Sequence, residues 1–149
     1  MAKKISVLYG TETGNSEGIA DEFAKAAKSK GFEVELASIS DKNLDDLKSM
    51  ETSVFVISTW GDGDPPGDAE TICNNLFTAE ADELKLDKMN FHVLALGDKS
   101  YIDYCGCGRR LDGHLERLGA ARFMERKDLD TDFEDHVASW KDEVLKVLV

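Results

Sequence analysis

The chain has no apolar run approaching the roughly 20 residues that a membrane-spanning helix needs. Its start, Met1-Ala2-Lys3-Lys4, leads straight into a strand-like pattern instead of the apolar core of a signal peptide. A soluble, cytoplasmic protein is the expectation. Cysteine is scarce and odd in number, with only Cys73, Cys105 and Cys107. The CxC pair matches neither a zinc ribbon nor the CxxC of thiol redox enzymes, so reduced thiols are expected. Positive charge is also short, since 18 Lys and Arg face 30 Asp and Glu, a formal charge of −12. That balance argues against nucleic acid and anionic lipid as partners, because binding to a polyanion is driven by Lys and Arg neutralising its phosphates. A basic protein surface is the natural complement, and solubility alone accounts for the acidity as well. No repeat, low-complexity tract or linker divides the 149 residues, and 42% hydrophobic content supports a sizeable core. Residues 1–149 therefore read as a single domain.

What is present is an alternation of two periods. Apolar, β-branched runs recur between longer stretches of helical spacing, the signature of repeated βα units and a parallel sheet. Ile5-Ser6-Val7-Leu8-Tyr9 comes first, followed by a helix carrying Ile19, Phe23, Ala26 and Ala27 that stops at Gly31. Val34-Glu35-Leu36 alternates as a half-exposed edge strand does, and a short helix is predicted near residues 43–50. Val54-Phe55-Val56-Ile57 and Phe91-His92-Val93-Leu94-Ala95-Leu96 are almost continuously apolar, as central strands covered on both faces must be. Helices bearing Ile72 and Leu76, then Leu111, Leu115 and Leu118, follow them, and 80–88 reads as a solvated connection. Arg122-Phe123-Met124 is the predicted fifth strand. The last helix carries Phe133, Val137, Trp140, Val144 and Leu148 on one stripe.

In open α/β sheets, ligands bind beyond the carboxyl ends of the strands where strand order reverses. That rule selects three loops: 10–16, 58–68 and 97–108. The first, Gly10-Thr11-Glu12-Thr13-Gly14-Asn15-Ser16, sets three hydroxyls, a carboxamide and two glycines just before a helix. Unpaired N–H groups of the first helical turn point at an anion there, and the helix dipole favours it. No Lys or Arg lies between Tyr9 and Asp21, so dipoles alone would neutralise a phosphate. The P-loop pattern fails, because Asn15 stands where Gly-Lys would begin, and no GxGxxG follows the first strand. The alternative is that Thr, Asn and Ser here merely cap the helix.

The second loop, Ser58-Thr59-Trp60-Gly61-Asp62-Gly63, places an indole at the mouth of the site. The third, Gly97-Asp98-Lys99-Ser100-Tyr101, adds a second aromatic, with Tyr104 and Cys105 close behind. Packing on a neighbouring helix is the other use of a loop tryptophan. Two aromatics on facing loops beside a phosphate cradle describe a planar ring system held between two π-faces. His92 falls within a strand and His114 and His136 on helices, so each reads as structural or surface, and no Ser/His/Asp constellation forms.

Thr11-Glu12-Thr13-Gly14-Asn15-Ser16, Ser58-Thr59-Trp60-Gly61-Asp62 and Leu96-Gly97-Asp98-Lys99-Ser100-Tyr101 together resemble the three FMN loops of short-chain flavodoxins. The resemblance covers the whole chain, with Ser16 standing where the family usually has Thr. Gly61-Asp62-Gly63-Asp64-Pro65-Pro66 followed by Ala69 is also similar to the FMN domains of sulfite reductase flavoproteins and cytochrome P-450 reductases. The resemblance implies a flavodoxin-like three-layer α/β sandwich, with a five-stranded parallel sheet in the order 2-1-3-4-5 and helices on both faces. It further implies a low-potential one-electron carrier, not an enzyme, that uses non-covalent FMN and a stabilised neutral semiquinone.

By the same resemblance Thr11, Glu12, Thr13, Gly14, Asn15 and Ser16 hold the phosphate, and Ser58, opening the second loop, is among the FMN-binding residues. Trp60 shields the inner ring face and Tyr101 stacks on the outer one. Thr59, Gly61, Asp98 and Cys105 meet the ring's polar edge through backbone groups, and Leu96, Gly97 and Tyr104 line the pocket. Gly61 supplies the carbonyl that turns toward the half-reduced ring, since glycine reaches positive φ without steric cost. Asp62, Asp64, Asp68 and Asp103 are expected to dock basic surfaces of reductases as donors and of metabolic redox enzymes as acceptors. A free-standing monomeric carrier is the expectation, and an excised domain of a diflavin protein is the alternative. An FMN-dependent quinone reductase would need room for substrate beside the ring. A receiver-like module would need an acidic cluster where Gly10-Thr11 stands and an Asp where Ser58-Thr59 stands.

Overall fold

The central strands form where the sequence is β-branched and apolar on both faces. β1 (Lys4–Gly10), β3 (Thr52–Ser58) and β4 (Asn90–Leu96) are buried along nearly their whole length. Residues 4–11, 14–60 and 63–149 are described by the computed structural model. β2 (Glu33–Ser38) is at least partly exposed throughout and, among the described residues, pairs only with β1, as its alternating charge requires. All pairings are parallel, and the order is β2-β1-β3-β4-β5.

The fifth position differs from the single strand predicted at 122–124. It is filled by two short pieces, β5 (Ala121–Arg122) and β6 (Lys127–Leu129), both paired with β4. The Phe123 N–H still donates to the Phe91 carbonyl (3.0 Å); beyond it the ladder is interrupted, and the Met124 carbonyl meets the His92 imidazole Nδ1 (3.2 Å).

Alternation along the strands sorts the core into two layers. Ile5, Val7, Val54, Val56, Leu94 and Leu96 face α1 (Asn15–Ser29) and α5 (Val137–Leu148). Leu8, Phe55, Ile57, Phe91 and Val93 face α3 (Glu70–Thr78) and α4 (Gly106–Arg117), with Leu47 of the short α2 (Leu44–Lys48) beside them. Phe23 of α1 and Trp140 of α5 meet at 5.3 Å between ring centroids. Each such fully buried large side chain contributes about 1.5–3 kcal/mol. α1 ends in a Schellman turn, with Gly31 at φ 95 and the Phe32 amide donating back to the Ala27 carbonyl. Asn43 and Asp46 form a reciprocal capping box at the start of α2. Phe133 lies in a 3₁₀ turn before α5 rather than inside the helix. Among the described residues, no helix is long and apolar enough to cross a membrane.

Candidate functional site

The three loops selected from the sequence converge beyond the carboxyl ends of β1, β3 and β4. Between them lies a cleft of about 340 Å³ lined by Asn15, Ser58, Thr59, Trp60, Leu96 and Gly97, together with Asp98, Tyr101, Thr131 and Phe133. Its volume falls within the ~300–1,000 Å³ usual for small-molecule sites. Trp60 is 56% exposed and Tyr101 46%, so neither ring is absorbed by a neighbouring helix. Leu96 is buried at the inner end of the cleft.

The start of α1 is not capped in the ordinary way. Its N-cap is Gly14, at φ 90, and among the described residues no side-chain cap bonds the first turn. Thr11 accepts the Gly14 N–H at its Oγ1 (2.8 Å) and closes the loop on itself. Among the described residues the first-turn amides of α1 thus have no side-chain cap, the arrangement in which a helix start can take an anion, and positive φ is where glycine is required. Ser16 is buried, and its hydroxyl lies 2.6 Å from that of Ser58, which joins the first loop to the second. Glu12, Thr13, Gly61 and Asp62 lie outside the described residues.

The second and third loops are fastened to each other and to the sheet. Thr59 donates its N–H to the Leu96 carbonyl (2.9 Å) and accepts the Cys107 N–H at Oγ1 (3.2 Å). Trp60 and Asp64 exchange backbone hydrogen bonds of 2.7 and 3.0 Å. The Gly97 N–H donates to the Leu129 carbonyl (2.9 Å), and a Cβ on Gly97 would fall 2.8 Å from the Cys105 nitrogen and sulfur. Asp98 accepts both the hydroxyl (2.7 Å) and the N–H (2.9 Å) of Ser100, which hold its carboxyl below the usual range.

Of the described residues assigned from sequence, Thr11, Gly14 and Ser16 belong to the start of α1 rather than to the cleft lining, and Tyr104 and Cys105 also stand outside it. Tyr104 faces the other side of its loop, with the Lys99 ammonium 5.6 Å from its ring centre. Cys105 is buried in a left-handed conformation (φ 54) at the start of α4, and burial first of all pushes its thiol up to about 12. The Cys107 thiol is raised too, by its hydrogen bond with Cys73 and by burial. None of this is the electropositive setting that makes a reactive thiolate.

Asp103 is also different from the free rim acid expected. Its carboxylate is held by Arg109 and by Arg110 Nη2 (2.7 Å), and a second Arg110 nitrogen donates to the Gly63 carbonyl. Thr131 and Phe133 were missed. The signal for Phe133 was an isolated aromatic among Asp130, Asp132, Glu134 and Asp135.

Residues 7–140 match the flavodoxin family model. The chain belongs to the flavodoxin family. The sulfite reductase (NADPH) flavoprotein alpha-component of Bacillus subtilis (strain 168) is 39% identical over 148 residues, covering 99% of this chain and 24% of that protein. The corresponding protein of Shewanella oneidensis is 38% identical over 144 residues, covering 97% of this chain and 23% of that protein. The chain spans about a quarter of the length of these curated relatives. Two solved mutants of flavodoxin from Pseudomonas aeruginosa superpose with TM-scores of 0.74 and 0.73 at 25% and 26% identity. Each match covers 93% of this chain and 97% of the other.

With the family come FMN as cofactor and electron transport as the work. The residues present fit that cofactor on structural grounds. A glycine-started helix without a side-chain cap suits a phosphate, and two half-exposed aromatics on separate loops suit a flat ring.

Proposed function

We propose that the chain is a low-potential one-electron carrier that holds FMN non-covalently and turns over no substrate of its own. One observation carries the reading: Trp60 and Tyr101 stand half in water on separate loops of one cleft that also reaches the uncapped start of α1. Large aromatic faces gain by leaving water, and a planar ring between them gives both that gain. FMN supplies the redox chemistry, accepting and releasing electrons singly.

The chain's own residues divide the remaining work. Thr11, Glu12, Thr13, Gly14, Asn15 and Ser16 form the phosphate cradle, with Ser58 bonded to Ser16 behind it. Trp60 and Tyr101 bind the ring faces and exclude water from them. Thr59, Gly61, Leu96, Gly97 and Asp98 meet the ring's inner edge. Cys105 and Tyr104 support the third loop from behind, while Thr131 and Phe133 complete the wall. Among the described residues, no Lys or Arg lines the cleft, and Asp98 stays ionised at neutral pH. Added negative charge there lacks a compensating cation, which disfavours full reduction and keeps the potential low.

The exposed Asp64, Asp68, Asp132, Glu134 and Asp135 suit basic faces of redox partners. The relatives favour a particular acceptor class, a protein that reduces sulfite, since they are named as the flavoprotein component of sulfite reductase. Mixing the reduced chain with such an acceptor and following reoxidation tests that choice.

The deciding experiment is an anaerobic reductive titration of the FMN-loaded protein. Two resolved one-electron steps support the carrier. A single two-electron step favours an FMN-dependent enzyme, and failure to retain FMN removes the site assignment.

A further inference from the structure

We infer that Arg110 is a positioning residue that sets the two aromatic walls of the cleft relative to each other, through a clasp with Asp103 and the Gly63 carbonyl. The inference rests on FMN lying between Trp60 and Tyr101, and it adds a residue outside the cleft lining. Arg110 lies on an exposed part of α4. Its Nη1 donates to the Gly63 carbonyl, three residues beyond Trp60, and its Nη2 to Asp103 Oδ2 (2.7 Å), two residues beyond Tyr101. One rigid planar group therefore ties the second loop to the third close behind both aromatics.

The clasp is tightly built. Arg109 holds the other carboxylate oxygen, Oδ1 of Asp103, and the Gly106 N–H donates to the Asp103 carbonyl (3.2 Å). A Cβ on Gly63 would fall 2.2 Å from Asp103 Oδ2, and one on Gly106 would fall 2.3 Å from it. Both glycines thus leave room for this carboxylate, and Gly63 does so at φ 100. On the inner side, the Trp60–Asp64 bridge and the bond from the Cys107 N–H to Thr59 Oγ1 fix the same two loops.

An exposed ion pair by itself contributes little. Arg110 differs because one of its acceptors is a backbone carbonyl of the loop that carries Trp60. A lysine ammonium, compact and strongly hydrated, does not reproduce the planar fork that spans both acceptors. Arg109 bears the same charge but does not reach Gly63, so the two arginines separate geometry from electrostatics.

The test compares wild type, Arg110→Gln, Arg110→Lys and Arg109→Gln. It reads FMN dissociation constants by flavin-fluorescence quenching, and visible circular dichroism of the bound flavin at saturation. Melting of the flavin-free proteins checks that each variant is folded. Arg110→Gln is expected to weaken FMN binding by about tenfold, the scale of one lost charge-assisted hydrogen bond, and to change the flavin dichroism. Arg110→Lys should fall nearer to Arg110→Gln than to wild type. Arg109→Gln should weaken binding by less than about threefold and leave the dichroism unchanged.

An Arg110→Gln protein within about twofold of wild type overturns the inference, given that tenfold corresponds to a single such bond. So does full rescue by Arg110→Lys, or a weakened affinity with unaltered dichroism. Wild-type protein that takes up no FMN would instead overturn the reading on which the inference rests.

Discussion

Replacing Gly108 by alanine should destabilise the protein, although alanine is the better helix former. Gly108 is buried in α4 where the helix crosses β4. A Cβ there would sit 2.3 Å from the Ala95 Cβ and 3.1 Å from its Cα, neither of them the end of a flexible side chain. Carbon atoms pack at about 3.5–4.0 Å, so α4 must lift from the sheet by about 1.5 Å. Helix propensity favours alanine by about 1 kcal/mol. Overpacking costs about 1–3 kcal/mol, and obstruction by the backbone and first carbon of a central strand belongs at the upper end.

The expected net loss is about 1–2 kcal/mol, or roughly 3–6 °C in Tm for a chain of this size. Gly113 is the control, in the same helix but exposed, with nothing within 4 Å of an added Cβ. Gly113→Ala should gain about 0.5–1 kcal/mol. Urea unfolding of the flavin-free proteins, followed by far-UV circular dichroism, reads both midpoints. If Gly108→Ala unfolds at or above the wild-type midpoint with an unchanged slope, the close approach of α4 to Ala95 is refuted.

Burial lowers the pKa of His92, which accepts the Trp140 indole N–H at Nε2 (2.9 Å) and bonds Met124 through Nδ1. With the folded pKa depressed, the unfolded state binds the proton first, so stability is full above the unfolded value near 6.5 and is lost as pH falls below it. His92→Gln should flatten the pH dependence of Tm between about pH 6.5 and 5, and an equally steep curve would remove His92 as its source. Asp112 is buried and takes both nitrogens of the Arg122 fork at 2.9 and 2.8 Å, tying α4 to β5. Asp112→Ala should cost about 2–4 kcal/mol in the same urea assay, because it strips the carboxylate from two nitrogens of a largely buried guanidinium and leaves it only Glu116, at Nη1. A loss below about 0.5 kcal/mol would place that pair among ordinary surface pairs. Raising ionic strength from about 0.05 to 0.5 M should slow reduction by a basic donor several-fold in stopped-flow traces; an insensitive rate would exclude electrostatic docking.

The parts of the fold legible in the sequence were those decided by local pattern. Val54–Ile57 and Phe91–Leu96 had to be central strands because they are almost continuously apolar, and the alternation Val34-Glu35-Leu36 marked β2 as an edge. The split fifth strand was not legible. Two- and three-residue strands carry no periodicity, and the break lies beside a hydrogen bond between His92 and Met124, 32 residues apart in sequence. The positions of Trp60 and Tyr101 at one cleft followed from topology. The withdrawal of Asp103 behind Arg109 and Arg110, and the turning of Tyr104 away from the cleft, depend on side-chain geometry that spacing does not encode. Phe133 fitted the helical stripe of α5 so well that its place at the cleft was hidden.

The broken fifth strand has a consequence for self-association. A sheet edge is a template for another chain in proportion to the length of its unpaired backbone, and short, charged or bent edges discourage such growth. At one margin this sheet offers only Ala121–Arg122 and Lys127–Leu129, with a bend between them held by an imidazole. At the other, β2 bears Glu33 and Glu35, the latter paired with Lys42 at 3.0 Å. Neither margin gives an incoming strand a long, flat, uncharged row to zip against, so the parallel sheet carries its own protection against fibre-like stacking.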